Sequence, residues 1–232
     1  QTRLMRLDGL PNGPTVNKVP AAGLGDLDGD GIGDFAIGRA ALANYDGAVF
    51  LFSGRNGALI ARVDGGAGLG SSFGMAIADI GDVDRDGTPD FAVGAGGHRI
   101  GTAQVGAVHV YSGRTRTRLT TLFGDGDGDL FGSVLAGIGD VNADGIPDFA
   151  IGAPENGNAA FSYGRGYVRV ISGHNLATWL QTYGARTSDE YGSAIAGVGD
   201  VDGDGRDDFM VGALLEMAPS SGQGSARVYS GV

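Results

Sequence analysis

Gly81-Asp82-Val83-Asp84-Arg85-Asp86-Gly87-Thr88-Pro89-Asp90-Phe91-Ala92-Val93-Gly94 decides the fold of this chain, because the chain contains the pattern four times. The other copies start at Gly25 (GDLDGDGIGDFAIG), Gly139 (GDVNADGIPDFAIG) and Gly199 (GDVDGDGRDDFMVG). Oxygen-bearing side chains recur at positions 1, 3, 5 and 9 of each loop, counted from its first aspartate, with glycine at position 6. Hard cations such as calcium take six to eight oxygens at about 2.3–2.6 Å. Side chains at 1, 3 and 5 converge on one point only if the backbone then turns sharply, which glycine permits. The carbonyl of position 7 is the natural further ligand, and the position-9 carboxylate can close the shell. The predicted ligand sets are Asp26, Asp28, Asp30, Ile32 and Asp34; Asp82, Asp84, Asp86, Thr88 and Asp90; Asp140, Asn142, Asp144, Ile146 and Asp148; and Asp200, Asp202, Asp204, Arg206 and Asp208. About four calcium ions are expected, one per loop.

Spacing separates this pattern from other calcium motifs. An EF-hand needs a bidentate Glu at position 12 between two helices. Position 12 here is Ile37, Val93, Ile151 or Val211, each inside a short apolar run. No series of GGxGxD nonapeptides is present, which excludes the parallel β-helix. A calcium loop inside a β-hairpin remains. Plain Asp/Gly turns are the bland alternative, and four repetitions of the same offsets argue against it.

The charge agrees. The net charge is −11 from 27 acidic and 16 basic residues. The ligand positions of the four loops hold 15 of the acids, so the rest of the chain is about +4, and four divalent ions would bring the total to about −3. The acidity is thus a metal signature, not a sign of a basic partner, and no nucleic-acid partner is expected. With no cysteine there is no disulfide framework and no thiolate site. Weak calcium loops fill where free calcium is abundant, which points to an extracellular or cell-surface location. No apolar stretch approaches the ~18 residues of a membrane span. A start at Gln1 is compatible with a processed mature chain.

The loops begin 56, 58 and 60 residues apart. Nine residues before the first ligand stands an aromatic followed by glycine: Phe73-Gly74, Phe131-Gly132 and Tyr191-Gly192. One apolar strand enters each loop and a second leaves it. After a variable connection a third strand ends in Ser-Gly: GAVFLFSG (47–54), GAVHVYSG (106–113), GYVRVISG (166–173) and GSARVYSG (224–231). A fourth strand follows. Four short antiparallel strands per ~58 residues make one blade of a β-propeller. The third strands are apolar on both faces, as stacked blades require. The predicted fold is therefore all-β, one domain over 1–232, with blade units at about 1–54, 55–113, 114–173 and 174–232. Residues 4–9 (LMRLDG) align with the fourth-strand segment IARVDG at 60–65. They are predicted to pair beside the last blade and close a ring of four. A piece of a longer array, or two chains in an eight-bladed ring, is left open.

These residues resemble FG-GAP repeats, as in the N-terminal propeller of integrin α subunits, which combine an FG pair, a DxDxDGxxD calcium loop and a GAP tripeptide. The matches are Phe73-Gly74, Phe131-Gly132, all four loops and Gly152-Ala153-Pro154, with Gly94-Ala95 and Gly212-Ala213 matching in part. The chain is also similar to secreted bacterial FG-GAP proteins, whose units often carry the GAVxVYSG strand. Unit 1 departs from the pattern, with Asn17-Lys18 in place of the FG pair and Pro20 in the strand that follows.

Calcium hairpins fall on one face of such a disc and the second-to-third strand connections on the other. Those connections, 39–46, 95–105, 153–165 and 213–223, vary in length, and variable loops on a repeated scaffold are where binding resides. Tyr45, His98, Arg99, Phe161, Tyr163 and Arg165 form the candidate recognition set. In integrins the corresponding face contacts protein ligands, which is what the resemblance implies here. Enzyme signals are thin. Gly70-Ser71-Ser72-Phe73-Gly74 matches G-x-S-x-G but enters a strand, not a helix. His98, His109 and His174 lack metal spacing, His109 reading as a surface position. Asp125–Asp129 reads as a solvated loop before a looser cation site, and Trp179 as packing. The expectation is a non-catalytic, calcium-binding interaction or adhesion module for a protein or glycan. A lectin or lyase-like carbohydrate role, or a structural subunit with self-association, is the alternative.

Overall fold

The computed structural model describes residues 19–40, 46–66, 70–154, 164–218, 221–222 and 224–231, and every regular element among them is a β-strand. The first sheet contains β1 (Ala21–Gly23), β2 (Phe35–Arg39), β3 (Ala48–Phe52) and β4 (Leu59–Asp64). The second contains β5 (Ala76–Gly81) and β6 (Asp90–Ala95). A small hairpin of β7 (Arg99–Ile100) and β8 (Ala103–Gln104) intervenes before β9 (Ala107–Tyr111) and β10 (Arg118–Phe123) complete it. The third contains β11 (Val134–Gly139), β12 (Asp148–Ala153), β13 (Tyr167–Ile171) and β14 (Thr178–Tyr183). In the fourth, β15 (Tyr191–Gly199) and β16 (Asp208–Ala213) pair, and after the hairpin of β17 (Met217–Ala218) and β18 (Ser221–Gly222) comes β19 (Ser225–Tyr229). All neighbours in these sheets are antiparallel and follow chain order. Pro20 limits β1 to three residues: it has no N–H to donate, and its carbonyl accepts the Gly38 N–H at 2.8 Å.

Two expectations need comment. The unit boundaries at 54, 113 and 173 fall inside sheets. After each Ser-Gly the chain turns and pairs straight back, Leu59 with Phe52, Arg118 with Tyr111 and Thr178 with Ile171. The outer strand predicted from residues 4–9 lies outside the described residues.

Sheet packs on sheet by one rule. The face carrying β6 Phe91 and Val93 and β9 Tyr111 lies on Ala36, Val49 and Leu51 of the first sheet. Phe149, Ile151 and Ile171 of the third sheet lie likewise on Ala92, Val108 and Val110 of the second. Phe209, Val211 and Tyr229 of the fourth lie on Ala150, Val168 and Val170 of the third. A bulky face meets a small aliphatic one each time, which keeps β6, β9, β12 and β13 buried on both sides. Glycine marks the closest approach. A Cβ on Gly38, Gly94 or Gly152 would sit 2.0, 1.9 or 2.3 Å from the carbonyl oxygen of Gly74, Gly132 or Gly192. The aromatic–glycine pair of one unit thus docks backbone-to-backbone on the preceding one, with Phe73, Phe131 and Tyr191 fully buried.

The first strands stand side by side, β1 beside β5, β5 beside β11 and β11 beside β15. A cavity of about 470 Å³ is lined by Pro20, Ala21, Met75, Ile77, Leu135 and Ser193 among others, so all four sheets reach it. At the far end of the series no sheet among the described residues packs on the small-residue face of the fourth sheet. Val228 is 56% exposed where Val110 and Val170 are fully buried.

Candidate metal centre

The four Asp-rich hairpins join first to second strands, and their backbone is the same in each. Position 6 is left-handed, with φ of 83° at Gly31, 87° at Gly87, 86° at Gly145 and 89° at Gly205. A side chain would be strained there. The turn directs this glycine's N–H to the position-1 carboxylate, at 2.7 Å for Asp26, 2.8 Å for Asp82 and Asp140, and 2.9 Å for Asp200. The position-3 Oδ1 accepts the N–H of position 5, and the position-5 Oδ1 accepts that of position 7. Each of these aspartates is thereby oriented by one oxygen, with the other left over; Asn142 of loop 3 spends its single oxygen in this way.

Position 9 is a clamp. Asp34, Asp90, Asp148 and Asp208 are buried. One oxygen of each accepts the N–H of position 2 at 2.8–3.1 Å (Leu27, Val83, Val141, Val201). The other accepts, at 2.9 Å, the N–H of the glycine in Ser-Gly at the end of the third strand. Burial pushes the carboxyls of Asp90 and Asp148 up to about 6 against these backbone donors. A cation beside them would pull them back down.

Among the described residues, carboxylate oxygens of Asp26, Asp28 and Asp34, of Asp82, Asp84 and Asp86, and of Asp200, Asp202 and Asp208 lie within 4.8 Å of one another. Loop 3 has Asn142 at its third position, whose amide nitrogen faces Asp148 (3.3 Å) and Ser172 (3.4 Å). Hard oxygen donors gathered so closely suit a divalent cation of the calcium class. The structure adds a residue that spacing did not reveal: the serine of Ser-Gly. Ser112, Ser172 and Ser230 turn Oγ to the position-5 aspartates Asp86, Asp144 and Asp204 at 3.5, 3.2 and 3.5 Å. The repeated Ser-Gly was the available signal, read only as punctuation.

The variable-loop set is less coherent. Tyr45, Phe161 and Tyr163 lie outside the described residues. Arg99 is spent on its own hairpin, donating to the Thr102 carbonyl at 2.8 Å and to Gln104 Oε1 at 3.2 Å. His98 packs on the Phe123 ring at 5.4 Å, and Arg165 is exposed on another connection. His109 is buried, not on the surface. It and its counterparts Arg169 and Arg227 lie over the aromatic rings of Phe73, Phe131 and Tyr191, at 5.6, 4.6 and 5.2 Å. Asp129 is buried too, contrary to the solvated loop expected. It accepts the N–H groups of Asp125 and Gly126 and the Tyr167 hydroxyl. Ser72 of the G-x-S-x-G match has φ 56°, but Leu130 (54°) and Glu190 (51°) adopt the same turn at the same place. Trp179 is half-buried against the third-to-fourth junction, as packing.

Consecutive antiparallel sheets with an Asp-rich hairpin between first and second strands define a class of repeat proteins. The FG-GAP repeat is matched at residues 76–111, 131–171 and 191–229, and the chain belongs to that family. It is 32% identical over 189 residues to human integrin alpha-7 (78% of this chain, 16% of that protein). It is 33% identical over 210 residues to integrin alpha-PS2 of Drosophila melanogaster (82% and 14%). It thus spans about a sixth of the length of these relatives. Among solved structures it resembles the exotype rhamnogalacturonan lyase YesX, with a TM-score of 0.52 and 19% identity over 87% of this chain and 41% of that one, a likeness of fold alone.

Proposed function

We propose that this chain is a calcium-stabilised, non-catalytic module of an extracellular protein, which binds a protein or glycan through its variable second-to-third strand connections. Its four sheets act as propeller blades. Position-1, -3, -5 and -9 side chains and the position-7 carbonyl of each loop hold one ion. The observation that carries this reading is the loop itself. In loop 2 the orienting hydrogen bonds to Asp84 and Asp86 use one oxygen each, and carboxylate oxygens of Asp82, Asp84 and Asp86 lie within 4.8 Å of one another; Asp26, Asp28 and Asp34 of loop 1 and Asp200, Asp202 and Asp208 of loop 4 gather in the same way. Without a cation those charges repel, and Asp90 and Asp148 are buried among them. The similarity to integrin α chains supports an interaction role, and no helix among the described residues is long and apolar enough to cross a membrane.

Four sites at tenfold their Kd would add about 6 kcal/mol, comparable to the whole stability of many domains. Chelation with EDTA is expected to lower the melting temperature by about 10–20 °C, reversed by calcium. A melt indifferent to EDTA would overturn the metal assignment. A glycan array and a pull-down on extracellular proteins test the binding face.

A further inference from the structure

Loop 1 differs from its copies in one contact. The residue after Ser-Gly is Arg55, and its Nε donates to Asp30 Oδ2 at 2.6 Å while Nη2 donates to the Asp30 carbonyl, also at 2.6 Å. The other oxygen of Asp30 already accepts the Ile32 N–H at 2.9 Å. Arg55 therefore covers the oxygen the backbone leaves over. In loop 2 the counterpart, Arg114, reaches only the Asp86 carbonyl, at 2.7 Å, and Asp86 Oδ2 faces Ser112. In loop 3 the counterpart is His174, which meets Arg85 of loop 2 instead. The serine records the difference. Ser53 is 3% exposed and its hydroxyl has no partner, whereas Ser112, Ser172 and Ser230 face their aspartates. Asp30 has been drawn away from Ser53 toward the guanidinium. A second arginine, Arg116 of the second sheet, donates to the Leu27 carbonyl in the same loop at 3.0 Å.

We propose that Arg55 is a resident counter-ion of loop 1: it occupies Asp30 when no cation is bound, must be displaced for Asp30 to act as a ligand, and so makes loop 1 bind calcium more weakly than loop 2. The proposal rests on the calcium reading of the loops. Loops 1 and 2 each carry four carboxylates and an arginine after Ser-Gly, so what separates them is that the guanidinium sits on a carboxylate oxygen in loop 1 and only on a carbonyl in loop 2. An arginine beside a divalent ion opposes it by Coulomb repulsion, and its pair with Asp30 must first be broken. Half-exposed pairs of this kind are weak, so the effect is a matter of several-fold, not of orders of magnitude.

The amides of Gly31, Gly87, Gly145 and Gly205 give one reporter per loop, since each donates to its own position-1 aspartate. Their NMR shifts are followed as calcium is added to the EDTA-treated, dialysed 232-residue chain. In the parent protein the Gly31 midpoint is expected above that of Gly87. In Arg55→Gln it should fall about three- to tenfold while the other three midpoints stay in place, and Arg55→Lys should lie between. A Gly31 midpoint at or below that of Gly87, or one unmoved by Arg55→Gln, overturns the counter-ion role while the calcium reading stands. If none of the four amides responds, the calcium reading itself has failed. Should Arg55→Gln be too unstable without metal to titrate, the Arg55→Lys midpoint decides, and no shift there overturns the proposal.

Discussion

His109 shows what one position does in this fold. It occupies the place in the third strand that holds Phe50 in the first sheet, Arg169 in the third and Arg227 in the fourth, and in the last three sheets that side chain lies over the buried aromatic of the aromatic–glycine pair. An arginine there can keep its charge by reaching out, as Arg169 does to the Phe123 carbonyl and to Asp125. Histidine is too short. Its Nδ1 meets only the Thr121 hydroxyl at 3.0 Å, and burial, helped by Arg118 and His98, pushes its pKa down to about 4. The folded state therefore binds this proton less tightly than the unfolded chain, whose histidine titrates near 6.5. Stability contributed by neutral His109 is complete above about 6.5 and is lost as pH falls toward 4. Urea titrations at pH 7 and pH 4.5, in saturating calcium, should show a smaller loss for His109→Phe than for the parent. Equal losses would mean that the ring is hydrated in solution.

At the scale of the element, the calcium hairpin was legible in the sequence because its chemistry is local. Alternate side chains, one glycine with positive φ and a strand on each side need only about ten consecutive residues. What was not legible arises between strands far apart in the chain. Ser112 reaches Asp86 because β9 pairs with β6, 26 residues away, and the surface reading of His109 failed because Phe73 lies 36 residues upstream, just ahead of β5. The unit boundaries failed for a similar reason: Ser-Gly ends a strand but not a sheet, since the chain pairs straight back. The same distinction separates two kinds of aspartate. Asp148 ties Val141 and Gly173 together and is buried, whereas Asp144 is more exposed and bonds within its own loop and to Ser172. Removing a buried acceptor from two backbone donors costs about 2–4 kcal/mol whether or not a metal is present. Asp148→Ala should accordingly lower the stability of the EDTA-treated protein by that amount. Asp144→Asn should leave EDTA-treated stability within about 1 kcal/mol while lowering the calcium-dependent gain. If both variants matter only in calcium, position 9 is a ligand without a structural role.

Over the whole molecule, three sheet junctions share one pattern, and among the described residues one face of each kind has no sheet packed on it. The bulky kind is the Phe35, Ile37, Phe50 and Phe52 face of the first sheet, where Phe50 and Phe52 are buried and Phe35 and Ile37 half-buried. The small kind is the face of the fourth sheet, with Ala194 and Ala226 exposed and Val228 at 56%. Among the described residues Gly212 has only its own sheet's Ala194 near, where Gly38, Gly94 and Gly152 each receive a carbonyl from the next unit. The three inner junctions also place Pro89 on Gly25, Pro147 on Gly81 and Asp207 on Gly139, but the corresponding residue of loop 1 is Gly33, which has no side chain to offer Gly199. Among the described residues, then, a seam between fourth and first sheets shows neither fastening. Meeting faces of two copies, head to tail, cover the same apolar surface without having to close so tight a ring. Sedimentation or light scattering should therefore show the mass rising with concentration. Val228→Asp should suppress that rise while changing monomer stability by no more than about 0.5 kcal/mol, as expected for an exposed site. A mass fixed at one chain, with Val228→Asp destabilising by 2 kcal/mol or more, would instead mean that Val228 is buried in solution and that the two leftover faces meet inside a single closed ring.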